Sequence, residues 1–312
     1  MRAAYFGPSG TFTEEALLTQ PDLVAATREP LRTIPDVIGA VESRSADVGV
    51  VPIENSIEGS VAITLDTLVF ESELLVQREV DLPISLNLCV RPGTTLGDVT
   101  SVASYPHAIA QCRGWLSGKL PDVDVTAANS TADAAREVSR SKRGGRAAIA
   151  NSLAAEIYGL EMLATEIEDH PENQTRFVVV GRGVPASTGH DKSSIVCFQR
   201  ADRPGSLLGI LQEFAARSLN LTKVESRPTK RSLGDYCFLI DFEGHISDEL
   251  VADCLRNLVA GQARVKFLGS YPVAGEGEAR SRRRAAGKAW RNATQWVDGI
   301  RGQVRETDEL MP

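Results

Sequence analysis

The stretch Asn173-Gln174-Thr175-Arg176-Phe177-Val178-Val179-Val180 sets a hydroxyl, a guanidinium and an aromatic ring at the start of an apolar run. The run predicts a strand, and the acidic loop of residues 168–172 precedes it. Polar side chains therefore lie at the start of this strand, next to a loop, and loops often carry the binding groups of a protein. Their meaning depends on which other segments of the chain converge on the same place.

Around this stretch, short apolar runs alternate with helical patterns from Arg2 to Arg182, which predicts an α/β fold with helices flanking a sheet. The predicted strands cover residues 3–6, 47–52, 82–90, 123–126, 147–150 and 177–180, and the predicted helices cover residues 12–18, 35–43, 61–70, 108–116 and 132–141. Helix starts in such a fold follow the carboxyl ends of strands, where ligands usually bind.

A second pattern begins after residues 183–191, a segment of small and polar residues broken by Pro and Gly that is typical of a linker. Predicted strands at 194–198, 219–227, 236–242 and 265–269 alternate with helices at 205–217 and 247–259. The resulting order, βαββαβ, is the ferredoxin-like arrangement and predicts a separate domain over residues 192–273. The tail, residues 274–312, is expected to be partly helical or mobile.

The composition excludes several classes of function. A formal charge of -7 over 312 residues argues against general nucleic-acid binding, which needs a basic surface. The five cysteines are widely spaced and the four histidines form no ligand pair, so we expect neither disulfides nor a metal site. Without a signal peptide or an apolar stretch of about 20 residues, the chain is expected to be cytoplasmic and not membrane-bound.

Two motifs follow the first and second predicted strands. In Gly7-Pro8-Ser9-Gly10-Thr11-Phe12-Thr13, free N–H groups at a helix start could hold a carboxylate, or the hydroxyls could simply cap the helix. In Pro52-Ile53-Glu54-Asn55-Ser56, the carboxyl could donate a proton if it is buried, or the polar groups could simply stabilise the loop.

Two further polar helix starts are weaker signals when each is taken alone. The segment Ser104-Tyr105-Pro106-His107-Ala108-Ile109-Ala110-Gln111-Cys112 combines a Pro suited to the first helical turn with an amide one turn later. In Ala128-Asn129-Ser130-Thr131, spare hydroxyls stand at a helix cap. Together with Thr175, the four helix starts predict one cleft between two lobes.

The motifs at residues 7–13, 52–56 and 104–112, together with Asn151-Ser152 and Thr175-Arg176-Phe177, resemble the successive motifs of the prephenate dehydratase family, and Glu225-Ser226-Arg227-Pro228 resembles a motif of its ACT domain. The resemblance covers roughly residues 1 to 273. It implies a two-lobed, periplasmic-binding-protein-like catalytic domain over residues 1–182, followed by an ACT regulatory domain. It also implies conversion of prephenate to phenylpyruvate with loss of carbon dioxide and water, without cofactor or metal.

The resemblance also implies which residues act. Thr175 would hydrogen-bond or protonate the leaving hydroxyl, and Glu54 is the competing proton donor. Arg176 either binds a substrate carboxylate or forms a structural ion pair with Glu168, Asp169 or Glu172, because strand alternation turns it away from Thr175. The expected substrate-binding residues are Ser9, Thr11, Asn55, Ser56, Ser104, Gln111, Asn129, Ser130, Arg176 and Phe177.

For the ACT-like domain, the resemblance implies feedback control by phenylalanine, bound between domains of a homodimer or homotetramer. The expected effector-binding residues are Gly205, Ser206, Leu207, Asn220, Leu221, Glu225, Ser226, Arg227 and Pro228. Three positions depart from the family pattern: Tyr105 stands where His is frequent, His107 where Gln is frequent, and Ser206 where Ala is usual. Two alternatives stay open, an arogenate dehydratase and a non-catalytic amino-acid sensor.

Overall fold

The computed structural model describes residues 1–199, 204–230, 234–274 and 295–303. The chain divides into two compact units, residues 1–183 and 184–312. Both have the architecture expected from the sequence: the first is an α/β unit with two sheets, and the second has the βαββαβ order.

Strands and helices alternate through most of the first unit. Its strands are β1 (Arg2–Phe6), β2 (Thr27–Leu31), β3 (Val48–Asn55), β4 (Gly59–Ser60), β5 (Leu75–Pro83), β6 (Asn87–Val90), β7 (Ser101–Ser104), β8 (Asp124–Ala127), β9 (Arg146–Ala150), β10 (Glu161–Ala164) and β11 (Gln174–Gly181). Its helices are α1 (Phe12–Leu18), α2 (Pro21–Val24), α3 (Ile34–Glu42), α4 (Ala62–Asp66), which continues into a π-helical turn (Thr67–Glu71), α5 (Pro106–Gln111), α6 (Arg113–Lys119), α7 (Thr131–Arg140) and α8 (Ser152–Tyr158).

Each of the two sheets forms the centre of one lobe. The first lobe has the strand order β2-β1-β3-β11-β5, with β4 paired to β3, and the second has the order β10-β6-β9-β7-β8. Strands β1, β2 and β3 are parallel, as are β7, β8 and β9, so the carboxyl ends of these strands meet at one edge of each sheet. These edges are where an open α/β sheet binds its ligands.

The chain passes between the lobes twice, through residues 84–86 and again through residues 165–173, and we call these the crossing segments. They hydrogen-bond to each other: Ile84 N donates to Asn173 O at 2.9 Å, and Ile167 N donates to Leu86 O at 2.9 Å. Leu86 N also donates to the Glu168 carboxylate at 2.8 Å. The two connections between the lobes therefore form one paired hinge.

Two elements predicted from the sequence were wrong. Residues 82–90 were expected to form one strand, but β5 ends at Pro83 and β6 begins in the other sheet. The apolar run is continuous because Ile84 and Leu86, which join the two strands, are also buried. The helix expected over residues 108–116 is two helices, since Cys112 has a non-helical backbone conformation between α5 and α6. The strands β2, β4, β7 and β10 and the helices α2 and α8 were missed.

The second unit contains β12 (Asp191–Gln199), α9 (Ser206–Ala215), β13 (Leu221–Pro228), β14 (Tyr236–Glu243), α10 (Glu249–Asn257), which continues into a π-helical turn (Leu258–Gln262), and β15 (Ala263–Pro272). Its sheet has the order β13-β14-β12-β15. The rings of Phe214 of α9 and Phe242 of β14 pack at a tilt of 58° with centroids 5.0 Å apart, in a core that also contains Cys254 of α10. Both helices therefore pack on one face of the sheet.

The expected linker of residues 183–191 is tied down by hydrogen bonds. Gln77 of β5 donates to Gly183 O at 2.8 Å, and His245 Nε2 lies 3.0 Å from Pro185 O. Asp191 accepts bonds from Ser187, Thr188 and Gly189. Hydrogen bonding to these groups lowers the pKa of Asp191, although burial opposes the shift.

Most of the expected tail lies outside the described residues. Residues 274 and 295–303 are described, and residues 295–301 are helical, with Trp296, Val297 and Ile300 exposed. Within the described part of the chain, no helix is long and apolar enough to cross a membrane. The same residues contain no group of three or more His, Cys, Asp or Glu side chains placed to hold a metal ion.

All five cysteines are free and buried. Burial raises the pKa of the Cys89, Cys112, Cys197 and Cys254 thiols to about 12, because a thiolate loses its hydration in these positions. They act as small apolar core residues.

Gly10 offers a test of how closely the two lobes approach. It has φ 89°, and a Cβ there would lie 3.1 Å from Ala154 Cα of α8. Gly59 is a matched control, because it has a similar φ of 81° and a Cβ there would meet no atom within 4 Å. We expect Gly59→Ala to cost about 1 kcal/mol of backbone strain. Gly10→Ala should cost about 1–3 kcal/mol more, measured by urea unfolding, and equal losses would contradict this packing.

Candidate active site

Strand β11 organises the candidate site. It lies between β3 and β5 and runs antiparallel to both. This direction brings the beginning of β11 to the edge where β3 ends. Thr175 therefore lies opposite Asn55, and Arg176 lies opposite Glu54 on one side and Asp81 on the other. The two motifs of the first lobe thus meet through strand register.

Asn55 is the central hydrogen-bonding residue of this edge. Its Oδ1 accepts from the backbone N–H groups of Ile57 and Glu58 at 2.9 and 3.0 Å. Its Nδ2 donates to Thr175 Oγ1 at 2.9 Å and to Asn173 Oδ1 at 2.9 Å. Because Thr175 Oγ1 accepts this bond, the proton of the Thr175 hydroxyl is available for donation to another group.

The second lobe reaches the same network through Gln111 of α5. Asn173 Nδ2 donates to Gln111 Oε1 at 2.9 Å, and Asn173 is 1% exposed. Ser56 joins from the first lobe, donating to Asn173 Oδ1 at 3.3 Å and accepting from Gln174 N at 3.0 Å. Three residues expected at the site, Asn55, Ser56 and Gln111, are thus connected through Asn173, and Thr175 joins them through Asn55.

Arg176 is held by carboxylates on the other face of the strand. Its Nε and Nη2 donate to the two oxygens of Asp81 at 2.8 and 3.0 Å, and Glu79 and Glu54 lie 3.4 and 3.6 Å away. The hydrogen bonds with Asp81 raise the pKa of the guanidinium, with further contributions from the charges of Glu79, Asp81 and Glu54. This bidentate pair fixes the orientation of the guanidinium within the sheet.

The ion-pair partners expected for Arg176 in the acidic loop were wrong, because those residues serve the hinge and α6. Glu168 accepts from Leu86 N, Asp169 accepts from Gly114 N and Trp115 N at the start of α6, and Glu172 lies 3.5 Å from His170. The true partners lie on neighbouring strands, since residues opposite each other in a sheet share a face.

Glu54 lacks the surroundings expected of a proton donor. Its side chain is 33% exposed and lies 3.6 Å from the Arg176 guanidinium. The role of proton donor needs a carboxyl group enclosed in a dry, apolar pocket, and this partly exposed side chain beside a guanidinium has no such enclosure. The position of Glu54 therefore favours an electrostatic role beside Arg176.

The helix start after β1 is occupied by the protein's own groups. Thr11 caps α1, accepting from Glu14 N at 3.4 Å and donating to Phe6 O at 3.0 Å. Gly10 N donates to the carboxylate of Glu14 at 2.7 Å. One of the N–H groups at this helix start, that of Gly10, is thus already bonded to an internal carboxylate. Ser9 Oγ lies 3.1 Å from the Tyr5 hydroxyl.

The remaining residues expected at the site have other positions. Ser104 is fully buried and donates to Ile149 O at 2.6 Å, and Phe177 is 2% exposed in the main core. Ser130 caps α7 by accepting from Asp133 N at 2.9 Å, next to the exposed Asn129. Among the residues that the structure describes, the side chains of these four make no hydrogen bond to Asn55, Asn173 or Thr175.

Two further polar pairs join the lobes. Asn151, the cap of α8, donates to Glu15 of α1 at 2.6 Å, and burial raises the pKa of Glu15 although this bond opposes the shift. His107 Nδ1 lies 2.9 Å from Glu58 Oε2, between two exposed side chains. The exposed pair is worth little to stability, whereas the buried one fixes how α1 and α8 meet.

The residues expected to bind an effector occupy two places in the second unit. Gly205, with φ 85°, is the cap before α9, and Ser206 and Leu207 lie in the first turn of the helix. Asn220 donates to Glu243 at 3.1 Å just before β13, an edge strand that contains Leu221, Ser226 and Pro228. Glu225 and Arg227, also in β13, form a 2.9 Å ion pair.

Sequence reasoning missed Asn173, Glu15 and the pairing of His107 with Glu58. Asn173 directly precedes β11, and its side chain was assigned no role. An amide just before a strand is usually explained as a turn residue. Its partners Gln111 and Asn55 are 62 and 118 residues away, so only the three-dimensional structure reveals them.

A two-lobed α/β unit whose facing sheet edges present hydroxyl and amide groups, joined to a ferredoxin-like unit, has the architecture of a regulated enzyme for a small polar substrate. The sequence profile of the prephenate dehydratase family matches residues 3–184, and that of the ACT domain matches residues 193–260. The chain therefore belongs to the prephenate dehydratase family, whose enzymes are lyases. The family, fold class and enzyme class predicted from the sequence are confirmed.

Individual relatives agree over nearly the whole chain. A prephenate dehydratase of Mycolicibacterium vanbaalenii is 42% identical, covering 96% of this chain and 97% of the relative. The crystal structure of a prephenate dehydratase from Arthrobacter aurescens in complex with L-Phe superposes with a TM-score of 0.85 at 39% identity, covering 96% of this chain and 99% of that one.

A solved structure with a different described activity also shares this fold. A protein described as a novel type of quorum quenching acylase superposes with a TM-score of 0.79 at 29% identity, covering 88% of this chain and 98% of that one. One fold can host more than one reaction. Assignment of a reaction to this chain therefore has to rest on its site residues and on its family.

The raised pKa of Glu15 gives a test of its burial where α1 meets α8. The folded protein holds this proton to higher pH than the unfolded chain, so wild-type stability falls as pH rises from the ordinary carboxyl range through the raised pKa. Glu15→Gln cannot ionise and keeps an acceptor for Asn151. We expect it to gain stability relative to wild type as pH rises through this window, measured by urea unfolding from pH 3 to 8. A pH-independent difference would contradict the shift.

Proposed function

We propose that this chain converts prephenate to phenylpyruvate, carbon dioxide and water for phenylalanine biosynthesis. The observation that carries the proposed mechanism is the 2.9 Å bond from Asn55 Nδ2 to Thr175 Oγ1. It occupies an acceptor position of the hydroxyl and leaves its proton for the substrate.

The reaction needs little more from the protein than orientation and one well-placed donor. The bond from the ring to its carboxylate breaks, the electron pair moves into the ring, and the opposite carbon–oxygen bond breaks as the hydroxyl leaves with a proton as water. Negative charge develops on the departing oxygen, so a hydrogen bond directed at it is stronger in the transition state than in the ground state. The Thr175 hydroxyl supplies that bond.

The other site residues have supporting roles in this proposal. Asn55 orients Thr175, and Gln111 contributes the Nε2 end of its amide from the second lobe, because its Oε1 accepts from Asn173. Glu54 and Arg176 form part of the charged group on the neighbouring face and set the field around the site. The remaining predicted contacts, Ser9, Thr11, Ser56, Ser104, Asn129, Ser130 and Phe177, shape the pocket or hold its walls.

We also propose that residues 1–182 form the catalytic domain and residues 192–273 an ACT domain that binds phenylalanine, joined by residues 183–191. The relative from Arthrobacter aurescens was crystallised with L-Phe, which supports this ligand. Gly205, Ser206, Leu207, Asn220, Leu221 and residues 225–228 would form the effector site, shared between subunits of a homodimer or homotetramer. We propose that the enzyme is cytoplasmic and needs no cofactor.

Substitutions at Thr175 and Asn55 test the mechanism. Thr175→Val removes the donor at nearly constant volume, and we expect kcat to fall by about 10²–10³-fold with little change in KM. Thr175→Ser should keep most activity. Asn55→Asp replaces the amide donor by an acceptor, so the Thr175 hydroxyl should turn towards it and kcat should fall similarly. Glu54→Gln tests the competing proton donor, and a larger loss there than in Thr175→Val would overturn the assignment.

The substrate and effector are tested with the purified protein. We expect product from prephenate to exceed product from arogenate, and the rate to change when phenylalanine is added, followed by absorbance of the aromatic product. A preference for arogenate would identify an arogenate dehydratase. Phenylalanine binding by calorimetry without product from either substrate would identify a sensor. Light scattering with and without phenylalanine measures the oligomeric state.

A further inference from the structure

We propose that Asn173 is a positioning residue that fixes the orientation of the Gln111 amide when the two lobes are closed, so that Gln111 and Thr175 present donors at the two ends of one chain of amides. The inference rests on the proposed role of Thr175, and it concerns a residue that does not itself need to touch the substrate. Three features of Asn173 support it: its place in the hinge, its partners in both lobes, and the direction of its hydrogen bonds.

Asn173 is fixed in the hinge by its own backbone. It is the last residue of the second crossing segment, its N donates to His170 O at 3.1 Å, and its O accepts from Ile84 N of the first crossing segment at 2.9 Å. Its side chain is buried, with the residue 1% exposed. If the angle between the lobes changes, the lobes therefore rotate about the hinge at the position of the Asn173 backbone.

The side chain of Asn173 connects one lobe with the other. Its Nδ2 donates to Gln111 Oε1 of α5 in the second lobe, and its Oδ1 accepts from Asn55 and Ser56 in the first lobe. A buried amide that loses such a partner costs about 1–3 kcal/mol. The complete set of bonds exists only while α5 is at this distance from the end of β3.

The direction of every bond in this chain of amides follows from two backbone groups. Ile57 N and Glu58 N can only donate, so the oxygen of Asn55 faces them and its nitrogen faces Asn173 and Thr175. Asn173 must then turn its oxygen to Asn55 and its nitrogen to Gln111. Gln111 accepts with its oxygen, which leaves its nitrogen as the outward end.

Both ends of the chain of amides consequently present donors. At one end the Thr175 hydroxyl accepts from Asn55 and has its proton to give, and at the other end Gln111 has Nε2 N–H groups to give. Separation of α5 from the hinge breaks the bond between Gln111 and Asn173 and frees the Gln111 amide to rotate, whereas Asn173 and Thr175 stay bonded to Asn55 in the first lobe. Closure thus adds the Gln111 donor to that of Thr175, at the moment when the substrate is enclosed.

Asn173→Asp tests this directly, because the aspartate side chain has nearly the size of the asparagine side chain but cannot donate to Gln111. We expect Gln111 to turn, presenting its oxygen outward, and kcat to fall by about 10–100-fold with KM changed less than threefold. Gln174→Asn, next in the chain with an exposed side chain, is the matched control and should keep wild-type kcat. Asn173→Ala is measured in parallel and should lose kcat similarly, so a folding failure of the charged variant leaves the test intact.

A double-mutant cycle separates positioning from a structural role. If Asn173 acts through Gln111, the losses in kcat from Asn173→Ala and Gln111→Ala will be far from multiplicative, the double variant being little worse than the single ones. Multiplicative losses, or losses that track a lowered melting temperature, would overturn the inference. So would wild-type kcat in a folded Asn173→Asp.

Failure of the role of Asn173 and failure of the proposed function give different experimental results. If wild type gives no product from prephenate, or if Thr175→Val keeps its turnover, the role of Thr175 is lost and the inference with it. If Thr175→Val is inactive while Asn173→Ala keeps wild-type kcat, the proposed function stands and only the role of Asn173 is overturned.

Discussion

The antiparallel insertion of β11 between β3 and β5 is the constraint on which the rest of the site depends. The chain leaves the first lobe, builds the second, and returns by adding a strand to the middle of the first sheet. Strand register then fixes Thr175 opposite Asn55 and Arg176 between Glu54 and Asp81. A slip of one residue would exchange the two faces, placing the guanidinium among the amides and the hydroxyl among the carboxylates.

Much of this arrangement is encoded locally. The alternation of apolar runs with capped helices predicted the α/β fold, and the caps at Thr11 and Ser130 are present. The βαββαβ order of the second unit followed from spacing alone. Strand alternation also separated Arg176 from Thr175, since alternate residues face opposite sides of a sheet. Such features depend on residues that are close together in the chain, and a single sequence contains that information.

What the sequence could not supply are relations between distant segments. A continuous apolar run concealed the passage from β5 to β6, because a buried hinge has the same composition as a buried strand. The partners of Arg176 lie on strands whose order no local pattern encodes. The helix start after β1 was predicted either to hold a carboxylate or to carry only capping hydroxyls, and the bond from Gly10 N to Glu14, four residues on, shows one of its N–H groups engaged within the protein. The partners of Asn173 depend on how two lobes close.

The burial of all five thiols has a practical consequence. A thiol reagent requires both access and a thiolate; the native fold withholds access from all five side chains, and burial also raises the pKa of Cys89, Cys112, Cys197 and Cys254. Cys89 and Cys112 lie in the second lobe of the first unit, and Cys197, Cys237 and Cys254 lie in the second unit. The rate at which each cysteine is labelled therefore reports how often its own region opens, giving intrinsic probes of local unfolding in both units without an added cysteine.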